Sequence, residues 1–183
     1  MKRLTPCLLI LFISIAGCKK SATNNGGTPP LPPVVDTTTF TNPILASGPD
    51  PWVIQKDGRY YYTQTFGNRV AILKTPKLSS LNTAQATTIW SPPANGPYSK
   101  NIWAPELLFL QGKWYAYFAA DDGNNANHRI YVVENPAADP TTGSWEFKGK
   151  VSDVSDKWAI DANVFEYNGQ LYMLWSGWQA ILM

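Results

Sequence analysis

The sequence predicts an all-β propeller, and three observations carry that prediction. A unit recurs three times, aromatic residues make up 13% of the chain, and charged residues only 15%. Each unit opens on an acidic or small residue, continues as an apolar strand, turns at a glycine and closes as an aromatic strand. The copies run from Asp50 to Tyr62, from Ala104 to Ala116 and from Asp161 to Met173. Their turn glycines, Gly58, Gly112 and Gly169, recur after 54 and then 57 residues. That period suits a blade of four short strands. Eight residues before each glycine stand Asp50, Ala104 and Asp161, which become equivalent if the copies are blades. Equivalent positions on inner strands face the propeller axis, so two carboxylates are expected to converge there.

The chain opens on an address. Met1 to Arg3 is short and positive, and Leu4 to Ile15 is mostly apolar but too short for a stable membrane span. The stretch ends in Ile15-Ala16-Gly17-Cys18, small residues before a cysteine. This resembles a bacterial lipoprotein signal over 1–17, with Cys18 lipidated after cleavage. The expected location is the cell envelope, periplasmic or at the cell surface, with membrane contact through the lipid alone. Cys7 falls in the signal and Cys18 takes the lipid. No cysteine then remains for a disulfide or a thiolate metal site.

Residues 18–39 hold Gly26-Gly27, Pro29-Pro30, Pro32-Pro33 and a threonine run, with little to bury. They read as a flexible, then stiff, tether. The propeller portion is expected over 40–183. Blade one takes 52–55, 60–65, 70–74 and 87–90. Blade two takes 107–110, 114–119, 129–134 and 145–150. Blade three begins at 163–167 and 171–175. No amphipathic helix interrupts them. Turn signals separate the strands at Asp57-Gly58, Gln111-Gly112, Asp122-Gly123, Thr142-Gly143 and Asn168-Gly169. Pro76, Pro92-Pro93 and Pro136 stand where strands end, because proline lacks the ladder N–H. About two and a half blades are thus supplied, whereas propellers have roughly four to eight. The expectation is a truncated propeller.

Charge excludes a nucleic-acid reader. The formal net charge is +2, and without Lys2 and Arg3 the basic and acidic counts are equal. A neutral ligand fits better. Paired carboxylates in a Trp-rich cleft suit hydrolysis of a sugar bond, in which one activates water and the other protonates the leaving oxygen. Asp50 lies between Pro49 and Pro51, which restrict its backbone. Asp161 follows Trp158-Ala159-Ile160, so partial desolvation is expected, which raises a carboxyl pKa. Each aspartate alone also fits a turn that accepts backbone N–H groups.

The ordered motifs carry a resemblance. They are Asn42-Pro43-Ile44-Leu45, Gly48-Pro49-Asp50-Pro51-Trp52, Asn101-Ile102-Trp103-Ala104-Pro105-Glu106, Trp158-Ala159-Ile160-Asp161 and Leu174-Trp175-Ser176-Gly177-Trp178. Together they resemble glycoside hydrolase family 43 across nearly all of 40–178. The resemblance implies a five-bladed β-propeller that cleaves arabinose- or xylose-containing polysaccharides with inversion. It implies Asp50 as general base and Asp161 as the residue that tunes and orients the acid, which replaces the simpler acid–base pair. The acid itself, a Glu expected in the next blade, matches no position here, so this fragment alone is expected to be inactive and full activity to belong to a longer parent protein. Glu106 and Glu166 are the available substitutes, and neither is favoured.

Tryptophan supplies the second set of candidates. A pentose ring offers C–H faces that pack on indole, although most propeller tryptophans are core. Trp103 is the expected cleft wall, Trp158 a second contact, Trp175 core, and Ser176 and Gly177 a close approach to ligand. His128, the single histidine, reads as a loop residue or outer contact rather than a metal ligand. Asp121-Asp122-Gly123-Asn124 lacks the spacing of a calcium loop and reads as a surface turn. No cofactor and no metal residue is assigned in this chain. The resemblance admits structural calcium in a complete propeller, through a histidine in a later blade that is not His128. Two competing readings remain: a surface glycan-binding propeller without catalysis, and a nonfunctional fragment.

Overall fold

The computed structural model describes residues 40–177. The segments read as signal, Cys18 and tether lie outside them, as does Trp178. Ten strands form three antiparallel sheets in chain order. Blade one is β1 (Trp52–Lys56), β2 (Arg59–Thr63), β3 (Val70–Thr75) and β4 (Ala86–Trp90). Blade two is β5 (Lys100–Leu110), β6 (Lys113–Asp121), β7 (Arg129–Asn135) and β8 (Glu146–Val151). Blade three contributes β9 (Ala159–Tyr167) and β10 (Gln170–Gly177). Short 3-10 helices at Leu78–Thr83 and Asn125–Asn127 were not foreseen. Among the described residues no helix is long and apolar enough to cross a membrane.

The repeat is conformational as well as sequential. Lys56 pairs with Arg59, Leu110 with Lys113 and Tyr167 with Gln170, so each unit closes on a two-residue hairpin. The turn pairs have φ 51° and 70° at Asp57-Gly58, 50° and 83° at Gln111-Gly112, and 51° and 73° at Asn168-Gly169. Two positive φ values in succession define the type I′ turn, whose twist matches that of the flanking strands. Seven residues before each turn the backbone is again left-handed: φ is 52° at Asp50, 42° at Ala104 and 54° at Asp161. These are the three positions equated from sequence.

β5 and β9 begin earlier than the sequence suggested, at Lys100 and Ala159. The reason is irregular pairing. β5 shifts register between Lys100 and Trp103 and again between Trp103 and Glu106. Pairing thus persists through Pro105 and two left-handed residues, Asn101 and Ala104, a local bending that bulges produce.

Alternation along each strand assigns the faces. Tyr61, Val70 and Ile72 of blade one pack on Ile102, Leu107, Trp114, Ala116 and Phe118 of blade two. Tyr62 and Leu73 face the other way, onto Leu81, Ile44 and Leu45. Ile130, Ala159 and Ala162 fill the contact between blades two and three. β10 has β9 as its one strand neighbour in the described sheets. Its apolar side chains are correspondingly open. Trp175, expected in the core, is 40% exposed, and Leu174 is 62% exposed.

Candidate active site

Each inner strand presents two side chains to the inter-blade junction, at the left-handed position and two residues beyond it. The outer of these positions ties the blades together. Trp52 Nε1 donates to the carbonyl of Leu107 at 2.8 Å, from blade one to blade two. Asn163 Nδ2 donates to Glu106 Oε2 at 2.9 Å, from blade three to blade two. Glu106 is therefore a half-buried structural partner of Asn163.

The left-handed positions hold the two candidate aspartates. A left-handed residue other than glycine costs about 1–2 kcal/mol, least for Asp and Asn. Asp50 and Asp161 pay little, whereas Ala104 has no polar side chain to offset the strain. Its N–H instead donates to Thr65 Oγ1 at 2.7 Å. Thr65 Oγ1 in turn donates to Asp50 Oδ2 at 2.6 Å. The Thr65 N–H reaches the Pro49 carbonyl at 3.0 Å. The preceding segment lies so close to β2 that a Cβ on Gly48 would meet the Tyr62 hydroxyl at 2.7 Å. That hydroxyl is already bonded to Gln64 Oε1 at 3.0 Å, so a side chain at position 48 would have to displace it.

Asp161 and Asp50 lie near enough to feel each other. Burial first, and the Asp50 charge second, push the Asp161 carboxyl up, while a hydrogen bond from Ser176 pulls it down. Burial also raises Glu106, against the Asn163 hydrogen bond and with help from the Asp161 charge. The cluster thus holds three carboxyls, two of them biased toward the protonated form.

That bias has a measurable sign. A carboxyl raised in the folded state is protonated in both states at low pH and has no effect there. As pH rises, the unfolded chain ionises first, so the group subtracts stability above its folded pKa. Glu106→Gln keeps an oxygen to accept from Asn163 and removes the charge. We expect it to raise the melting temperature at pH 7, with the gain fading as pH falls from the raised folded value toward the ordinary glutamate value of 4.5 and absent below it. A gain of equal size at every pH would show that charge is not its cause.

Trp103 is half-buried, with one face stacked on His128, ring centroids 4.0 Å apart and planes 26° apart. His128 lies in a loop and behind Trp103, in keeping with the sequence reading of a loop residue or outer contact. It is fully buried and lies 3.0 Å from Asp121 Oδ2. Its Nδ1 also faces the Asn125 carbonyl and its Nε2 the Asn101 carbonyl, each at 3.2 Å. Asp121, read as part of a surface turn, is buried as well and takes both oxygens' bonds from Asn101 Nδ2 at 2.9 and 3.0 Å. Asp122 to Asn124 do lie on the surface. With both nitrogens engaged beneath Trp103, His128 does not fit a calcium ligand. No cluster of three His, Cys, Asp or Glu side chains suits a metal among the described residues.

The remaining candidates separate. Ser176 reaches Asp161. Trp158 Nε1 donates to the Asn125 carbonyl at 2.9 Å, on the loop that carries His128. Trp158 and Gly177 line a cavity of about 510 Å³ with Lys157, Met173 and Trp175, and neither Asp50 nor Asp161 lines it. Glu166 lies further along β9 than Asp161, roughly 16 Å away at about 3.3 Å per residue. Thr65 was missed by sequence reasoning. Its signal was the polar run Thr63-Gln64-Thr65 that ends an aromatic strand.

Comparison with known proteins places this arrangement. Residues 40–182 match the profile described as Glycosyl hydrolases family 43. The extracellular exo-alpha-(1->5)-L-arabinofuranosidase of Streptomyces avermitilis is 37% identical over 180 residues, covering 96% of this chain and 37% of the relative. Alpha-L-arabinofuranosidase 43 of Humicola insolens is 33% identical over 140 residues, covering 75% of this chain and 29% of the relative. The crystal structure of an alpha-L-arabinofuranosidase from Lactobacillus brevis superposes with a TM-score of 0.73 at 31% identity, over 79% of this chain and 48% of that one. The chain therefore spans less than half the length of these relatives.

Proposed function

Because the chain belongs to glycosyl hydrolases family 43, we propose that the protein hydrolyses α-L-arabinofuranosyl linkages, or the related β-xylosyl linkages, in plant polysaccharides with inversion. The observation that carries this reading is the pair Asp50 and Asp161, set on equivalent left-handed openings of the inner strands of blades one and three and close enough for one to shift the other. Asp50 takes a proton from water as the oxygen attacks the anomeric carbon. A carboxylic acid protonates the departing glycosidic oxygen, and the sugar leaves with its configuration inverted. Asp161, held by Ser176, orients that acid and tunes it. We assign the acid to none of the described glutamates: Asn163 occupies Glu106, and Glu166 is too distant from Asp161 to be tuned by it.

The free face of Trp103 packs on the pentose ring, with Ser176, beside Asp161, as a further contact. The names of the Streptomyces avermitilis and Streptomyces chartreusis relatives include the word extracellular, which supports action outside the cytoplasm. Lipid attachment at Cys18, with 18–39 as tether, would hold the protein at the envelope. Labelled palmitate is expected in the wild type and absent from Cys18→Ser; equal labelling would rule the anchor out.

The activity test is release of arabinose from arabino-oligosaccharide by the intact protein, with the first-formed anomer followed by NMR. Inverted product is expected. Retained configuration would overturn the mechanism. Binding without release would favour the non-catalytic glycan-binding propeller.

A further inference from the structure

We propose that Thr65 is the positioning residue of the proposed base, locking the Asp50 carboxylate to the strand that carries Trp103. This rests on the reading of Asp50 as base. A base that activates water must hold one oxygen lone pair in a fixed direction, since a displacement of about 1 Å is enough to cost about 10²-fold. Asp50 is exposed. The prolines on either side restrict its main chain but leave the carboxylate free to rotate about its side-chain bonds.

Thr65 removes that freedom. A hydroxyl has one proton to give and lone pairs to accept with. The Ala104 N–H can only donate, so it occupies an Oγ1 lone pair at 2.7 Å. The single Thr65 proton is then directed to Asp50 Oδ2 at 2.6 Å. Oδ2 is held, and Oδ1 remains for water. The same residue grips the main chain too, through its N–H to the Pro49 carbonyl at 3.0 Å. Asp50 is thus fixed at two points by one residue.

The anchor beyond Thr65 is rigid. Ala104 owes the direction of its N–H to a φ of 42°. The next carbonyl in that strand, Pro105, accepts from Thr63 Oγ1 at 2.6 Å, and Thr63 is fully buried. Two threonines at alternate positions therefore fasten blade one to Ala104-Pro105, directly after Trp103. The base and the proposed sugar platform share one frame because of this link.

The test compares Thr65→Val, which keeps the shape and removes the hydroxyl, with Thr65→Ser, which keeps the hydroxyl. Both are assayed in the intact protein beside Asp50→Asn, with melting temperatures measured alongside. Thr65→Val is expected to lower kcat about 10- to 100-fold with KM changed less than about threefold. Thr65→Ser is expected to restore kcat to within about threefold of wild type. Should Thr65→Val fail to fold, Thr65→Ala takes its place in the same comparison. A Thr65→Val kcat within about twofold of wild type, while Asp50→Asn is inactive, overturns the role of Thr65 and leaves the base intact. Equal loss in the Ser and Val variants also overturns it, because packing would then be the cause. Undiminished turnover in Asp50→Asn overturns the base reading itself.

Discussion

Asp50→Asn is expected to lower kcat on an aryl arabinofuranoside by about 10²- to 10⁴-fold, the usual contribution of a general base, while the protein stays folded. The fold survives because asparagine tolerates the left-handed backbone that Asp50 adopts at φ 52°. Its amide oxygen can still accept the Thr65 hydroxyl. What disappears is the ability to take a proton from water. KM should move little, since the interaction lost belongs to the transition state rather than to binding. Steady-state kinetics beside a thermal melt read both halves of the expectation. Full turnover with an unchanged melt would remove Asp50 from the mechanism.

Trp114→Ala is expected to give the largest loss of stability, about 3–5 kcal/mol as for other buried tryptophan truncations. Trp114 is fully buried where blades one and two meet. It packs edge-on against Tyr61 at 5.1 Å and Phe109 at 5.0 Å between centroids, and its indole N–H donates to the Ala138 carbonyl at 3.2 Å. Removal opens a void on both blades and leaves that carbonyl without its donor. Against a typical total of about 5–15 kcal/mol, such a loss takes a large share of the stability. Denaturant unfolding measures it, and a change under about 1 kcal/mol would mean that the two faces close over the gap.

The framework was readable in the residues because each feature has a local cause. Asp57-Gly58 and Asn168-Gly169 specify type I′ hairpins almost unaided, and the aromatic runs at Tyr60 and Tyr115 specify half-buried strands. Equating Asp50, Ala104 and Asp161 by counting back from glycines also worked, since all three share one backbone conformation. What stayed hidden was long-range. His128 meets Asn101 and Asp121 across the fold, and no periodicity marks that meeting. Thr65 differs from an ordinary strand-end threonine only by what the next blade brings to it. Glu106 gave no sign in the sequence of its bond to Asn163, 57 residues away. The openness of Trp175 depends on which strands flank β10, a matter of assembly rather than composition.

Ala104 carries the same backbone twist as the two aspartates without a carboxylate to present. The twist is therefore a property of the repeated unit and not a distortion imposed by chemistry. Duplication of such a unit hands down pre-shaped sockets, one per copy, and a single codon then decides which socket is charged. New reactivity at this axis needs no backbone remodelling, only a change of occupant. That separates the evolution of the scaffold from the evolution of the side chains it presents.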